Sequence, residues 1–193
     1  MTEPPATSPI TIVSGLPRSG TSLMMQMLAA GGLPLLTDGL RRPDADNPRG
    51  YFEFEPVKRT RHDSSWLERA PGHAVKMVHL LLRDLPPACA YRVLFMRRRL
   101  EEIIASQQTM LDRLGHQGAN LPPARLAAVF EQQLRQTEAW LATQPNFTVL
   151  YINHRNCIDH PAATAAAVNA FLGGRFNEPS MAAAVAPALY RHR

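Results

Sequence analysis

The sequence predicts an α/β protein of three layers, α/β/α, with a central parallel β-sheet. Short runs rich in Val, Ile, Leu or Phe alternate with amphipathic helical patterns along the chain, as in parallel strands joined by crossover helices. The runs are continuous in apolar character, which is typical of strands buried on both faces. A chain of 193 residues suits one domain with a proper core. We therefore expect a single domain over residues 1–193, with the proline-rich, polar residues 1–9 disordered.

Four segments have the length and composition of buried strands, and helical patterns fill most gaps between them. The predicted strands are Ile10–Val13, Ala74–Val78, Tyr91–Met96 and Phe147–Ile152. Apolar residues at helical spacing predict one helix after the first strand and two between the third and fourth. These apolar positions are Leu23, Met24, Met27 and Leu28; Ile103, Ile104, Leu111 and Leu114; and Leu126, Phe130, Leu134 and Leu141. A further helix is predicted from Pro161 to Leu172, and Pro187 interrupts any helix near the end of the chain.

A long loop is predicted between the first helix and the second strand. The segment from Leu40 to Arg59 is rich in Pro, Asp, Asn and Gly, and loops of this length are often functional. It contains an aromatic cluster and two carboxylates, Glu53 and Glu55. Carboxylates beside an anion site can act as general bases.

Composition and charge limit the function classes. There are 21 Lys and Arg against 16 Asp and Glu, a formal charge of +5, which favours a nucleotide, a nucleic acid or a membrane surface as partner. The two cysteines, Cys89 and Cys157, are far apart and predict neither a disulfide framework nor a metal site. No stretch is long and apolar enough to cross a bilayer. We expect a soluble, cytoplasmic protein without a metal and without membrane insertion.

The stretch GLPRSGTS, Gly15 to Ser22, has the glycine frame of a phosphate-binding loop. Two glycines separated by four residues precede Thr21 and Ser22, directly after the first strand and before a helix. In such a P-loop, backbone N–H groups and the helix N-terminus point at an anion, and hydroxyls add donors. Threonine stands where the usual lysine would be, and Arg18 is the one cation within the loop. The motif predicts a P-loop NTPase-like fold.

Cationic or ionisable residues follow each of the other predicted strands. They are His79, Arg97 to Arg99, and His154 with Arg155. Because open parallel sheets bind ligands outside the carboxyl ends of their strands, we expect these residues at one edge of the sheet. One anion would lie at the P-loop and a second near the arginines, of which at least one faces the site. The pattern predicts a ligand with two separate phosphates.

Two features of the sequence speak against a nucleotide kinase. The loop has no lysine to reach the β- and γ-phosphates, and no apolar strand ends in an Asp for magnesium. A ligand whose anions are bound by arginine and backbone amides does not need that metal.

Four stretches of this sequence resemble the sulfotransferases that use 3'-phosphoadenosine 5'-phosphosulfate (PAPS), in particular short bacterial members. GLPRSGTS looks like the 5'-phosphosulfate loop of that family, and RRLEEIIAS is similar to its 3'-phosphate motif. HLLLRDLP has the placement of the segment with the catalytic histidine, and HRNCIDHPAATAAAVNAFLGG is similar to a later family segment. The four stretches follow one another in the order found in that family, and together they span nearly the whole chain.

The resemblance implies the roles of individual residues. Arg98 and Ser106 would bind the 3'-phosphate, and His79 would take the proton of the acceptor, with Glu53 or Glu55 as the alternative base. Arg18 would stabilise the charge on the transferring sulfuryl group. The acceptor would be a hydroxyl or amine of a small molecule or glycan. The loop residues implied in donor binding are Gly15, Arg18, Ser19, Gly20, Thr21 and Ser22.

Two other function classes remain open at this stage. A P-loop kinase or phosphotransferase would bind Mg-ATP tightly and depend on the metal. A non-catalytic sulfotransferase-like module or a basic nucleic-acid binder would bind nucleotide or RNA without turnover. Nucleic acid is not the expected partner, because the arginines gather at strand ends instead of interleaving with aromatic residues.

Overall fold

A four-stranded parallel sheet forms the centre of the protein, as the sequence predicts. The computed structural model describes residues 9–44, 47–115 and 121–186. The strand order is β2-β1-β3-β4, and every neighbouring pair is parallel. The strands are β1 (Ile10–Gly15), β2 (Ala74–Val78), β3 (Tyr91–Arg97) and β4 (Phe147–Asn153).

The burial of each strand follows from its place in the sheet. All six residues of β1, a central strand, are buried, because helices cover both faces. In β4, at the edge of the sheet, Ile152 is the one buried residue. Strands β1, β3 and β4 each extend past the predicted end. The pairing of β1 continues to Gly15, opposite Val78 and Met96, and the pairing of β3 with β4 continues to Arg97 and Asn153.

Two hydrophobic clusters, one on each face of the sheet, make the three layers. One joins Val13 and Leu94 of the sheet to α1 (Thr21–Ala30), α5 (Pro161–Leu172) and α6 (Glu178–Ala183). The other joins Ile12 and Val93 to Leu141 at the end of α3 (Pro123–Leu141) and to the segment before β2. Helix α2 (Leu100–Leu114) precedes α3, and α4 (His154–Asp159) follows β4. Among the described residues, no helix combines the length and hydropathy of a membrane span.

The four predicted helices are present, but α4 and α6 were not predicted. Helix α4 starts directly at the end of β4, where the Asn153 side chain accepts a hydrogen bond from the Arg155 backbone N–H at 2.8 Å. Helix α6 is capped in the same way, by Asn177 on the N–H of Ser180 at 2.9 Å. The predicted interruption at Pro187, the side chain of Leu114 and all of the predicted N-terminal disorder except Pro9 lie outside the described residues.

The predicted loop from Leu40 to Arg59 packs against the core. Tyr51, Phe54 and Val57 are each 5 % exposed, and the segment ends in a 3₁₀ helix, Glu55–Arg59. A buried pair of hydrogen bonds fixes this end: the Trp66 indole N–H donates to the Thr60 hydroxyl at 3.0 Å, which donates to the Val57 carbonyl at 2.7 Å. The loop is therefore anchored at its C-terminal end.

We expect Thr60→Val to destabilise the protein by about 1–3 kcal/mol, because it leaves the buried Trp66 N–H without an acceptor. Thr143 is the matched control: its hydroxyl also donates to a carbonyl three residues earlier, at 2.7 Å, but is exposed. Thr143→Val should change stability by less than about 0.5 kcal/mol. Urea unfolding of both variants measures the difference, and equal effects would mean that the buried pair does not anchor the loop.

Candidate active site

A cavity of about 450 Å³ lies at the carboxyl ends of the strands, where open parallel sheets bind ligands. Four parts of the chain contribute to its lining: the P-loop with the start of α1, the residues after β3 with α2, β2 with the anchored loop (residues 40–59), and α4. The residues used below that line it are Gly15, Arg18, Gly20, Thr21, Ser22, Arg41, Glu53, Lys76, Arg98, Ser106 and His154.

The P-loop has a conformation that needs its glycines. Gly15 has a φ of 149°, and a Cβ there would lie 2.6 Å from the Met96 carbonyl oxygen. Gly20 has a φ of 102°, and a Cβ there would lie 2.3 Å from the His154 ring. Arg18, which is not a glycine, also has a positive φ, 70°. Helix α1 begins at Thr21 with no side-chain cap on its N-terminus, so its first N–H groups are available to an anion.

The P-loop and α2 are joined by hydrogen bonds of two arginines. The Arg18 Nε donates to the Ser106 hydroxyl at 2.9 Å, and Arg98 Nη1 donates to the Arg18 carbonyl at 3.1 Å. The Arg98 Nε donates to Glu102 at 2.9 Å, and both of these side chains are 9 % exposed. The residues that the sequence assigned to two separate phosphates therefore belong to one connected cluster.

Of the three consecutive arginines at the end of β3, Arg98 lines the cavity and the other two do not. Arg97 pairs with Glu138 of α3 at 2.7 Å and stacks on the Tyr151 ring. The Arg99 side chain is 76 % exposed.

The two predicted serine contacts of the loop differ in their surroundings. Ser22 already accepts a hydrogen bond from the Asn47 amide at 2.8 Å and donates to the Tyr51 carbonyl at 3.4 Å. Ser19 is 1 % exposed and does not line the cavity. Its hydroxyl has no hydrogen-bond partner among the described residues. The anchored loop thus already engages the Ser22 hydroxyl of the P-loop. Thr21, by contrast, lines the cavity.

The candidate bases are placed differently from the sequence expectation. His79 is 1 % exposed and does not line the cavity. Burial lowers the pKa of its imidazole, against a smaller raising effect of the Gly15 backbone and Gln133. Glu53 lines the cavity, whereas Glu55 pairs with Lys58 at 2.5 Å and does not.

Lys76 is a cavity residue that the sequence analysis missed. Its Nζ donates to the Tyr51 carbonyl and lies 3.8 Å from Glu53. Burial lowers the pKa of Lys76 to about 8, with Arg41 and Arg18 adding to the lowering and Glu53 opposing it. The available signal was a lysine inside the apolar run AVKMV, since a charged residue in a buried strand needs a partner or a function.

His154 lines the cavity beneath Gly20, but Arg155 does not line it. Burial and the nearby Arg98 lower the pKa of His154 to about 4, against the raising effect of Glu102, so the imidazole is neutral at neutral pH. Arg155 forms an ion pair with Asp159 at 2.6 Å on the surface. Within the described residues, no cluster of three or more His, Cys, Asp or Glu side chains could hold a metal ion.

Comparisons with known proteins find the same fold in solved structures. No family model and no curated protein matches the sequence. A sulfotransferase domain from the curacin biosynthetic pathway superposes with a TM-score of 0.55 and 16 % identity, over 90 % of this chain and 76 % of that one. The sulfotransferase domain of the Synechococcus PCC 7002 olefin synthase superposes with a TM-score of 0.54 and 14 % identity, over 93 % and 78 %. The chain has the α/β fold of sulfotransferase domains.

Proposed function

We propose that the protein transfers the sulfuryl group of PAPS to an acceptor. The observation that carries this proposal is the cluster of Arg18, Ser106 and Arg98, which joins the P-loop to the start of α2. PAPS carries one phosphate on the ribose and a phosphosulfate on the 5' side, so its binding site needs two anion subsites at a fixed separation. This cluster links two groups of hydrogen-bond donors that suit such subsites.

The residues of the cavity fit such a donor. The uncapped N-terminus of α1 and the loop amides suit the 5'-phosphosulfate. Arg98 and the Ser106 hydroxyl, both on the α2 side of the cavity, suit the 3'-phosphate through charge-assisted hydrogen bonds. Glu102 holds the Arg98 Nε, so the guanidinium is already oriented before a ligand binds.

Arg18 and Lys76 are the cations that would act on the sulfuryl group. During transfer, the bond from sulfur to the bridging phosphate oxygen breaks and a bond from sulfur to the acceptor oxygen forms. Charge accumulates on the departing phosphate, and preorganised cations in a shielded site stabilise that charge. The lowered pKa of Lys76 to about 8 still leaves it mostly protonated at neutral pH.

Glu53 is better placed than His79 to take the acceptor proton. Its carboxylate lies at the cavity surface, between Arg41 at 2.9 Å and Lys76 at 3.8 Å. A general base must come within hydrogen-bond distance of the proton that it accepts, and the buried His79 would first have to move. We therefore propose Glu53 as the base and keep His79 as the alternative.

Arg18→Ala should lower the rate of sulfuryl transfer by about 10²- to 10³-fold, because the variant loses a cation that acts on transition-state charge. The affinity for 3',5'-adenosine bisphosphate should fall less, since the charge that Arg18 meets is largest in the transition state. Arg18→Lys should recover part of the rate. Formation of a labelled sulfate ester from PAPS and a phenol measures the transfer.

Arg99→Ala is the matched control for Arg18, because it removes an exposed arginine outside the cavity lining. It should leave the rate unchanged. An Arg18→Ala enzyme that is as fast as this control would contradict the proposed mechanism.

Glu53→Gln should lower the transfer rate by about 10²- to 10⁴-fold without weakening bisphosphate binding, because a base acts on the acceptor and not on the phosphates. His79→Gln should stay within a few-fold of the wild-type rate. Single-turnover rates and melting temperatures of both variants separate catalysis from folding. The opposite ranking, with folded His79→Gln inactive and Glu53→Gln active, would return the base role to the histidine.

A further inference from the structure

One side of the cavity is bounded by apolar side chains. They come from the anchored loop, from β2 and from the 3₁₀ helix His79–Asp84 that follows β2. We call this surface the apolar wall; it consists of Phe54, Val57, Met77, Val78 and Leu81. The donor groups of Arg18, Arg98 and Ser106 lie on other elements, so the wall is available to the second substrate.

Part of the wall is exposed without a ligand. Val78, at the carboxyl end of the edge strand β2, lines the cavity and is 41 % exposed. Covering such surface stabilises a complex by about 25 cal/mol per Å². Ligand sites typically combine an apolar lining with a few polar groups that fix orientation, and here Glu53 and Lys76 are such groups.

The charged residues next to the wall are engaged with one another. Arg41 and Lys76 both face Glu53, at 2.9 and 3.8 Å, and Lys58 faces Glu55 at 2.5 Å. A sugar placed here would bury several hydroxyl groups against Val, Met and Leu side chains, which costs free energy for each hydroxyl left without a partner. A protonated amine would be repelled by Lys76, Arg41 and Arg18.

We propose that the acceptor is an uncharged alcohol or phenol whose carbon skeleton is apolar, and not a glycan or an amine. Its hydroxyl lies at Glu53 and Lys76, and its skeleton covers Val78, Leu81 and Val57. The proposal rests on the proposed function, because it takes the P-loop side of the cavity as the donor site.

The test uses 2-naphthol as a fluorescent probe and 3',5'-adenosine bisphosphate as the donor-site ligand. The wild-type protein, with the bisphosphate at saturation, should bind 2-naphthol saturably and should not bind glucosamine. Val78→Asp places a carboxylate on the wall, next to Gly15, and should weaken 2-naphthol binding by at least about tenfold, more than it weakens bisphosphate binding. Leu81→Asn is a second variant of the same surface and should act in the same direction.

Val129→Asp is the matched control, since Val129 is also an exposed valine, 36 % accessible, but lies on α3 outside the cavity lining. It should bind 2-naphthol as the wild type does. Bisphosphate binding without 2-naphthol binding, equal 2-naphthol affinity in Val78→Asp and the control, or saturable glucosamine binding would each overturn the acceptor class alone. A wild-type protein that does not bind the bisphosphate would instead remove the proposed function, and with it this proposal.

Discussion

The hydrogen bond from Arg98 to the Arg18 carbonyl is the interaction on which the site depends. It connects Arg98, directly after β3, to Arg18, the one non-glycine residue of the P-loop with a positive φ, which is 70°. The distance from the Arg98 Nη1 to the Arg18 carbonyl oxygen is 3.1 Å. A left-handed backbone at such a residue costs free energy and persists where the surroundings hold it. Arg98 provides part of that restraint, and Glu102 in turn fixes Arg98. The geometry of the P-loop and the orientation of the Arg98 side chain are therefore linked.

The parallel sheet makes this link possible. The carboxyl ends of β1, β2 and β3 meet at one edge because Gly15 lies opposite Val78 on one side and Met96 on the other. Close approach at this edge excludes a side chain at Gly15, where a Cβ would come within 2.6 Å of the Met96 carbonyl oxygen. The same strand ends bring Lys76 of β2 to the cavity, and the anchored loop covers it from above with Tyr51.

The sequence was sufficient for the fold and for part of the site. Strand length and composition predicted all four strands, and the glycines of GLPRSGTS predicted a tight loop between β1 and α1, where Gly15 and Gly20 both have a positive φ. The family resemblance singled out Arg98 among the three consecutive arginines, and Arg98 is the one that lines the cavity, whereas Arg97 pairs with Glu138 of α3. His79 was expected at the cavity edge of the sheet because it directly follows the predicted second strand, but it begins the 3₁₀ helix His79–Asp84, is 1 % exposed and does not line the cavity. The place of Lys76 in the cavity was not predicted, because its partners Glu53 and Tyr51 come from a loop distant in the sequence.

The central claim is that the cavity is built for a nucleotide with two separate anionic groups. Titration calorimetry of the wild-type protein with 3',5'-adenosine bisphosphate, 5'-AMP and Mg-ATP tests it directly. Because a charge-assisted hydrogen bond contributes about 1.5–3 kcal/mol, the bisphosphate should bind about tenfold or more tightly than 5'-AMP, and more tightly than Mg-ATP. Tighter binding of Mg-ATP, or equal affinities for the bisphosphate and 5'-AMP, would contradict the account.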